Sequence, residues 1–173
     1  VRDNEWWDIA LIEMFNYICD DFLLQKALEL VHDTQDIGLR ANLLIELVLR
    51  LPKNLRGKVV EEAVITIKSV TDEDVNKEEE ILRLAPFFGG LQLKLALDVL
   101  FEDNDNYYPE QIWSLYKITL VLPNEAKDVM VDYIFDLMLK DESFFCKRDC
   151  IWLLLEVLPY LSKKYRNRIV LNI

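Results

Sequence analysis

Apolar residues recur along this chain at the spacing of one helix face, and prolines cut the pattern at nearly even intervals. Pro52, Pro86, Pro123 and Pro159 each close an apolar run ending in Leu or Ala, and they stand 34, 37 and 36 residues apart. Counted back from each proline, apolar side chains fall one, four, five and eight positions upstream: Leu51, Val48, Leu47 and Leu44 before Pro52, and Leu158, Leu155, Leu154 and Ile151 before Pro159. That spacing places them on one face of a helix. Glu78 and Thr119 depart from it, so the pattern is degenerate, yet it is present in every copy. Proline lacks the amide donor and its ring clashes with the preceding turn, so it punctuates a helix rather than continuing it.

The residues after each proline repeat too. Leu55, Val59, Val60, Ala63, Val64 and Ile67 follow Pro52, and Ala126, Met130, Val131, Ile134, Phe135 and Met138 follow Pro123. An earlier copy keeps the register with Asn16 in place of proline, 36 residues before Pro52. Each repeat therefore reads as a helix B ending at Leu-Pro, a short turn, a helix A, and a loop into the next helix B. The A helices are predicted at 19–32, 54–69, 91–101 and 125–140, with another from about 161; the B helices at 5–17, 37–51, 75–86, 109–122 and 143–158. Gly89-Gly90 displaces the repeat after Pro86 and is the place where a bend in the stack is expected. Helices of this length are marginal alone and gain stability by stacking on neighbours. The expected fold is all-α: an α-solenoid of about four and a half helical hairpins, one repeat domain over 1–173. A non-repetitive helical bundle is the alternative.

Composition agrees with helices, with 52% apolar residues and only four Gly and five Pro. No apolar run approaches the ~18 residues of a membrane span, and no secretory signal is visible, since Asp8 and Glu13 interrupt Trp6 to Phe15. The apolar closing residues Ile169, Val170, Leu171 and Ile173 are expected of a piece of a longer protein. A net charge of −11 argues against a nucleic-acid partner, which needs a basic stripe to displace counterions. Cys19, Cys146 and Cys150 form no disulfide framework, which makes a cytoplasmic location the expectation.

The run from Arg40-Ala41 through Leu51-Pro52, then Leu55, Glu62-Ala63-Val64 and the acidic Asp72-Glu73-Asp74, resembles the helical-hairpin repeats of long arrays in bacterial, particularly cyanobacterial, multidomain proteins. Those repeats are similar in architecture to HEAT and tetratricopeptide repeats. Asp36 followed by Arg40 resembles the Asp…Arg ladder between HEAT B helices, and Lys77 follows Asp74 at a similar distance, but the stretch around Pro109 to Ser114 has no basic residue and Lys147-Arg148 come late. Such arrays serve as protein-interaction or sensor surfaces in STAND-type signalling NTPases, chaperones and scaffolds. The resemblance implies that role here.

Every A-to-B loop carries acid: Asp33 and Asp36; Asp72, Glu73 and Asp74; Glu102, Asp103 and Asp105; Asp141 and Glu142. Successive loops of a solenoid line one edge, so an acidic rim is expected. Two roles fit it. Asp and Asn there would cap B helices and suit the positive helix start, or the rim would dock a basic partner. Neither Asp72-Glu73-Asp74 nor Asp103-Asn104-Asp105-Asn106 has the glycine and closing glutamate of a calcium loop. Cys146 and Cys150 share a helix face, but the lone His32 is three repeats away, so buried core thiols are expected rather than zinc ligands. Asp20-Asp21 lacks the closing aspartate of a diphosphate motif, and Gly89-Gly90 lacks the Lys-Ser/Thr of a phosphate loop. No catalytic residue, cofactor or metal is assigned.

Adjacent aromatics cannot all face one core, so one member each of Trp6-Trp7 and Tyr107-Tyr108 is expected at the surface, where such residues anchor interfaces. For Trp6-Trp7 the competing role is packing on a preceding repeat. Trp113, Tyr116 and Trp152 are expected in the seam between helices. The functional expectation is a non-enzymatic protein-interaction, sensor or scaffold module. Its partners would be a protein or peptide, basic if it docks on the acidic rim, and preceding repeats of the same chain, with no nucleic acid and no membrane. A HEAT-like nucleic-acid repair protein, a small all-α enzyme and a passive spacer are the alternatives.

Overall fold

The computed structural model describes residues 4–71, 76–101, 109–140 and 144–172, and all of its regular structure is helical. Ten α-helices alternate with short connections: α1 (Asn4–Phe15), α2 (Asp21–His32), α3 (Ile37–Arg50), α4 (Lys53–Ser69), α5 (Lys77–Leu84), α6 (Gly90–Phe101), α7 (Pro109–Val121), α8 (Asn124–Lys140), α9 (Phe144–Val157) and α10 (Lys163–Asn172). Odd-numbered helices fall on the predicted B segments and even-numbered ones on the A segments. The chain divides into two compact units, Val1–Phe87 and Phe88–Ile173, with the boundary one residue before Gly89.

The prolines do two different things. Pro52 and Pro123 stand just outside α4 and α8, as residues that the next helix can follow but the previous one cannot use. Pro86 and Pro159 instead lie inside 3-10 turns, Ala85–Phe87 and Leu158–Tyr160, that tighten the ends of α5 and α9. Gly90 opens α6 in ordinary backbone geometry, since no described glycine has a positive φ. Its missing side chain matters for another reason: a Cβ there would stand 3.1 Å from the Val129 side chain of α8.

In the N-terminal unit α3 is the centre, packing against α1, α2, α4 and α5. Its sequence fits that place. Leu43, Leu44, Ile45, Leu47 and Val48 are fully buried, as expected of a helix apolar nearly all round. Beyond its first turn, Asn42, Glu46, Leu49 and Arg50, at i, i+4, i+7 and i+8, form the solvent-facing stripe. Helix starts are fixed by side chains. The Asp20 carboxylate accepts from the Leu23 amide at 2.9 Å and opens α2. Asp36 accepts from the Leu39 amide at 2.9 Å and opens α3, and Asn76 accepts from the Glu79 amide at 3.3 Å and opens α5.

In the C-terminal unit α6 and α9 pack on α8, and α7 packs on α9. Leu93, Leu97, Leu115, Ile134, Leu153 and Leu154 form its buried centre. Tyr133 of α8 stacks on Phe101 with ring centroids 6.1 Å apart. Burial pushes its phenol up to about 12, with help from the nearby Asp98 and Cys150 charges.

Candidate functional site: the outer faces of the B helices

The outer face of the N-terminal unit is ionic. Glu46 on α3 accepts from Arg83 on α5 at 2.5 Å and from Arg50 one turn along its own helix, while Arg83 also donates to Glu80 at 2.8 Å. Burial pushes the Glu46 carboxyl up, but hydrogen bonds and charge from Arg50 and Arg83 outweigh it and hold the group below the usual carboxylate value. For Arg83, partial burial acts downward and the Glu80 and Glu46 carboxylates more than offset it, raising its basicity. One carboxylate thus bridges two B helices through a pair 37 residues apart in sequence, one repeat length. The ladder read into Asp36 and Arg40 is replaced by this one. Asp36 caps its own helix, and the Arg40 guanidinium donates from Nε to the Thr34 carbonyl at 3.1 Å, closing the α2–α3 loop.

The outer face of the C-terminal unit is aromatic. Trp113 and Tyr116 on α7 meet Trp152 on α9, with centroid separations of 6.0 Å for Trp113–Tyr116, 5.5 Å for Trp113–Trp152 and 5.3 Å for Tyr116–Trp152. These tilted and edge-on arrangements suit the ring quadrupole. The rings lie between α7 and α9, as expected, but on the exposed side of that seam, with Tyr116 half-buried. Trp113 is 56% exposed and Trp152 is 37% exposed. The buried seam of α7 is taken by Ile112, Leu115 and Ile118, and that of α9 by Leu153, Leu154 and Val157, so the larger rings are left outside. Leu120 on α7 and Leu155 on α9 continue the exposed apolar surface.

The A helices carry polar rungs of their own. His32 of α2 pairs with Glu62 of α4. On α8, Asp132 accepts from Tyr165 of α10 at 2.9 Å and pairs with Arg168, which stands 36 residues away. The hydrogen bond to Asp132, partial burial and that carboxylate's charge raise the Tyr165 phenol above its usual value. Thus His32, weighed earlier as a metal ligand, is engaged with a carboxylate, and Cys150 is a buried thiol while Cys19 is exposed.

Of the expected acidic rim, Asp33 and Asp36 are described: Asp33 closes α2, its amide donating to the Glu29 carbonyl, and Asp36 caps α3. Asp72, Glu73, Asp74, Glu102, Asp103, Asp105, Asp141 and Glu142, and with them Tyr107 and Tyr108, lie outside the described residues. Trp6 and Trp7 lie on α1, with their side chains outside the described set. Among the described residues, no helix is long and apolar enough to cross a membrane. No protein-family model, no curated protein and no solved structure matches the chain.

Proposed function

We propose that the chain is a length of α-solenoid, of HEAT or tetratricopeptide type, that works as a non-enzymatic protein-interaction module. The repeat arrays it resembles in STAND-type signalling proteins and scaffolds are used in the same way. Two features support the solenoid. In both units B helices pack on the next B helix, and polar rungs join residues one repeat length apart. The observation that carries the function is the exposed Trp113–Tyr116–Trp152 cluster. Trp and Tyr dominate the energetics of protein interfaces because they desolvate much area at little cost in side-chain entropy.

The mechanism is rigid display. The α7–α9 packing holds the rings in place before the partner arrives, so little ordering cost falls on binding. A protein or peptide partner places an apolar anchor on the rings, and the net charge of −11, to which Asp72, Glu73, Asp74, Asp103, Asp105 and Asp141 contribute, favours basic surroundings for that anchor. Affinity capture with the full-length protein tests this. Trp113→Ser with Trp152→Ser should abolish recovery of specific partners while the helical circular dichroism signal persists. Changing Asp72, Asp74, Asp103 and Asp141 to Lys should weaken recovery in a salt-dependent way. Unchanged recovery in both variants would overturn the reading.

A further inference from the structure

The exposed face of α7 and α9 is small for its richness in rings. Trp113 and Trp152 are exposed and Tyr116 is half-buried, while Leu120 and Leu155 extend the apolar surface along the same two helices. Taking about 150–250 Å² for a whole aromatic side chain, the exposed fractions amount to a patch of roughly 400 Å². Patches of that order on monomers are often functional. A stable symmetric dimer buries about 2,000 Å² or more, which is about 1,000 Å² on each copy. The patch does not by itself carry a second copy of this chain, and a short segment fits it better. Its length is short too: from Trp113 to Leu120 the stripe climbs two turns, about 10 Å along α7.

We propose that this face binds an extended proline-rich segment, with prolines three residues apart resting on the rings. This rests on the reading of the cluster as a protein contact, and it specifies the partner. The three rings meet in edge-on and tilted pairs, so no two are parallel and no slot opens between them for a flat group. What they present is a ridge of aromatic faces and edges, the kind of surface on which proline rings pack. Pitch agrees. A polyproline II helix makes one turn in three residues and about 9 Å, so prolines at i and i+3 point the same way and span the stripe. Ordering cost decides against an amphipathic helix. The patch returns little area, and a short helical peptide has to fold on it, whereas a proline-rich segment is extended before it binds. The net charge of −11 favours Arg or Lys beside the prolines.

The chain has four tryptophans, and the indole N–H signals in proton–nitrogen NMR of the intact protein read the site directly. The probe is a synthetic peptide of consecutive prolines between two arginines. Its controls keep the length and charge, one with Gly-Ser in place of proline and one a leucine-based amphipathic helix. The proline peptide should move the Trp113 and Trp152 signals saturably and leave the other two in place, and the Gly-Ser peptide should bind roughly tenfold more weakly. Trp113→Ser changes an exposed side chain, so the helical circular dichroism persists, and it should weaken the proline peptide by roughly tenfold. Equal binding of the Gly-Ser peptide, or a stronger response to the helical one, would overturn the proline assignment and leave the cluster a protein contact. Signals that move with protein concentration alone would put a second copy on the rings instead. No shift with millimolar proline peptide would also overturn it, and affinity capture with Trp113→Ser/Trp152→Ser then judges the broader reading by itself.

Discussion

The two units join successive B helices by different means. Between α3 and α5 the outer contact is the Arg50–Glu46–Arg83–Glu80 network, in which a half-buried carboxylate is shared by two guanidinium groups. Between α7 and α9 it is three aromatic rings. The two rungs stand at different places in the repeat. Glu46 and Arg83 lie six and three residues before their prolines, whereas Trp113 lies ten and Tyr116 and Trp152 seven before theirs. Buried leucines carry the packing beneath in both cases. The ionic rung satisfies itself and presents charge to water. The aromatic one leaves apolar area uncovered, and the proposed partner contact rests on that difference.

The comparison breaks first at the buried layer both faces rest on. Leu44→Ala on α3 and Leu154→Ala on α9 remove fully buried side chains, and each should cost about 2–5 kcal/mol in urea unfolding. A loss below about 1 kcal/mol at either site would mean that the outer rungs, not the core, hold the helices. Next comes the ionic rung. Glu46→Gln leaves Arg50 and Arg83 facing a neutral amide and should cost about 1–3 kcal/mol at neutral pH. Since Glu46 titrates below its ordinary value in the folded state, its contribution is complete above the unfolded carboxylate range, near 4.5. It disappears as pH falls through the lower folded value. The wild type should therefore lose stability relative to Glu46→Gln as pH falls below the ordinary carboxylate value of 4.5, and parallel acid curves would discount the network.

Smaller effects sharpen the picture. Asp36→Ala removes the cap on α3 and should cost about 0.5–2 kcal/mol, whereas an acidic rim serving only a partner would leave stability unchanged. Trp113→Ser gives up two aromatic contacts, about 1 kcal/mol in all, because its ring is mostly exposed. A larger cost would mean that the cluster is a structural rung after all, equivalent to the Glu46 network.

Helix positions were legible because proline and leucine act locally. Pro52 and Pro123 exclude the preceding helix by covalent geometry alone, and the leucine spacing needs only one turn of context. The slip in the repeat at Gly89-Gly90 was read as a bend within one repeat domain, and the division into two compact units falls beside it. The outer faces were not legible. Periodicity marks which residues of α7 and α9 are apolar, but Trp113, Leu115 and Tyr116 all qualify, and only packing decides that the smaller leucine goes inside. The Glu46–Arg83 rung spans 37 residues, and nothing local to either residue announces the other. Asp36 was ambiguous for a different reason, since a cap and a docking carboxylate are the same residue type at the same place.

The most direct test of the account compares Leu120 with Leu49. Both stand three residues before a proline on a B helix, and they are similarly exposed, at 48% and 38%. A photoreactive benzoylphenylalanine placed at one or the other in the full-length protein samples the aromatic face and the ionic face from the same register. A discrete crosslinked partner is expected from position 120, lost in the Trp113→Ser/Trp152→Ser background, and none from position 49. Crosslinks of equal strength from both positions, or from position 49 alone, would contradict it.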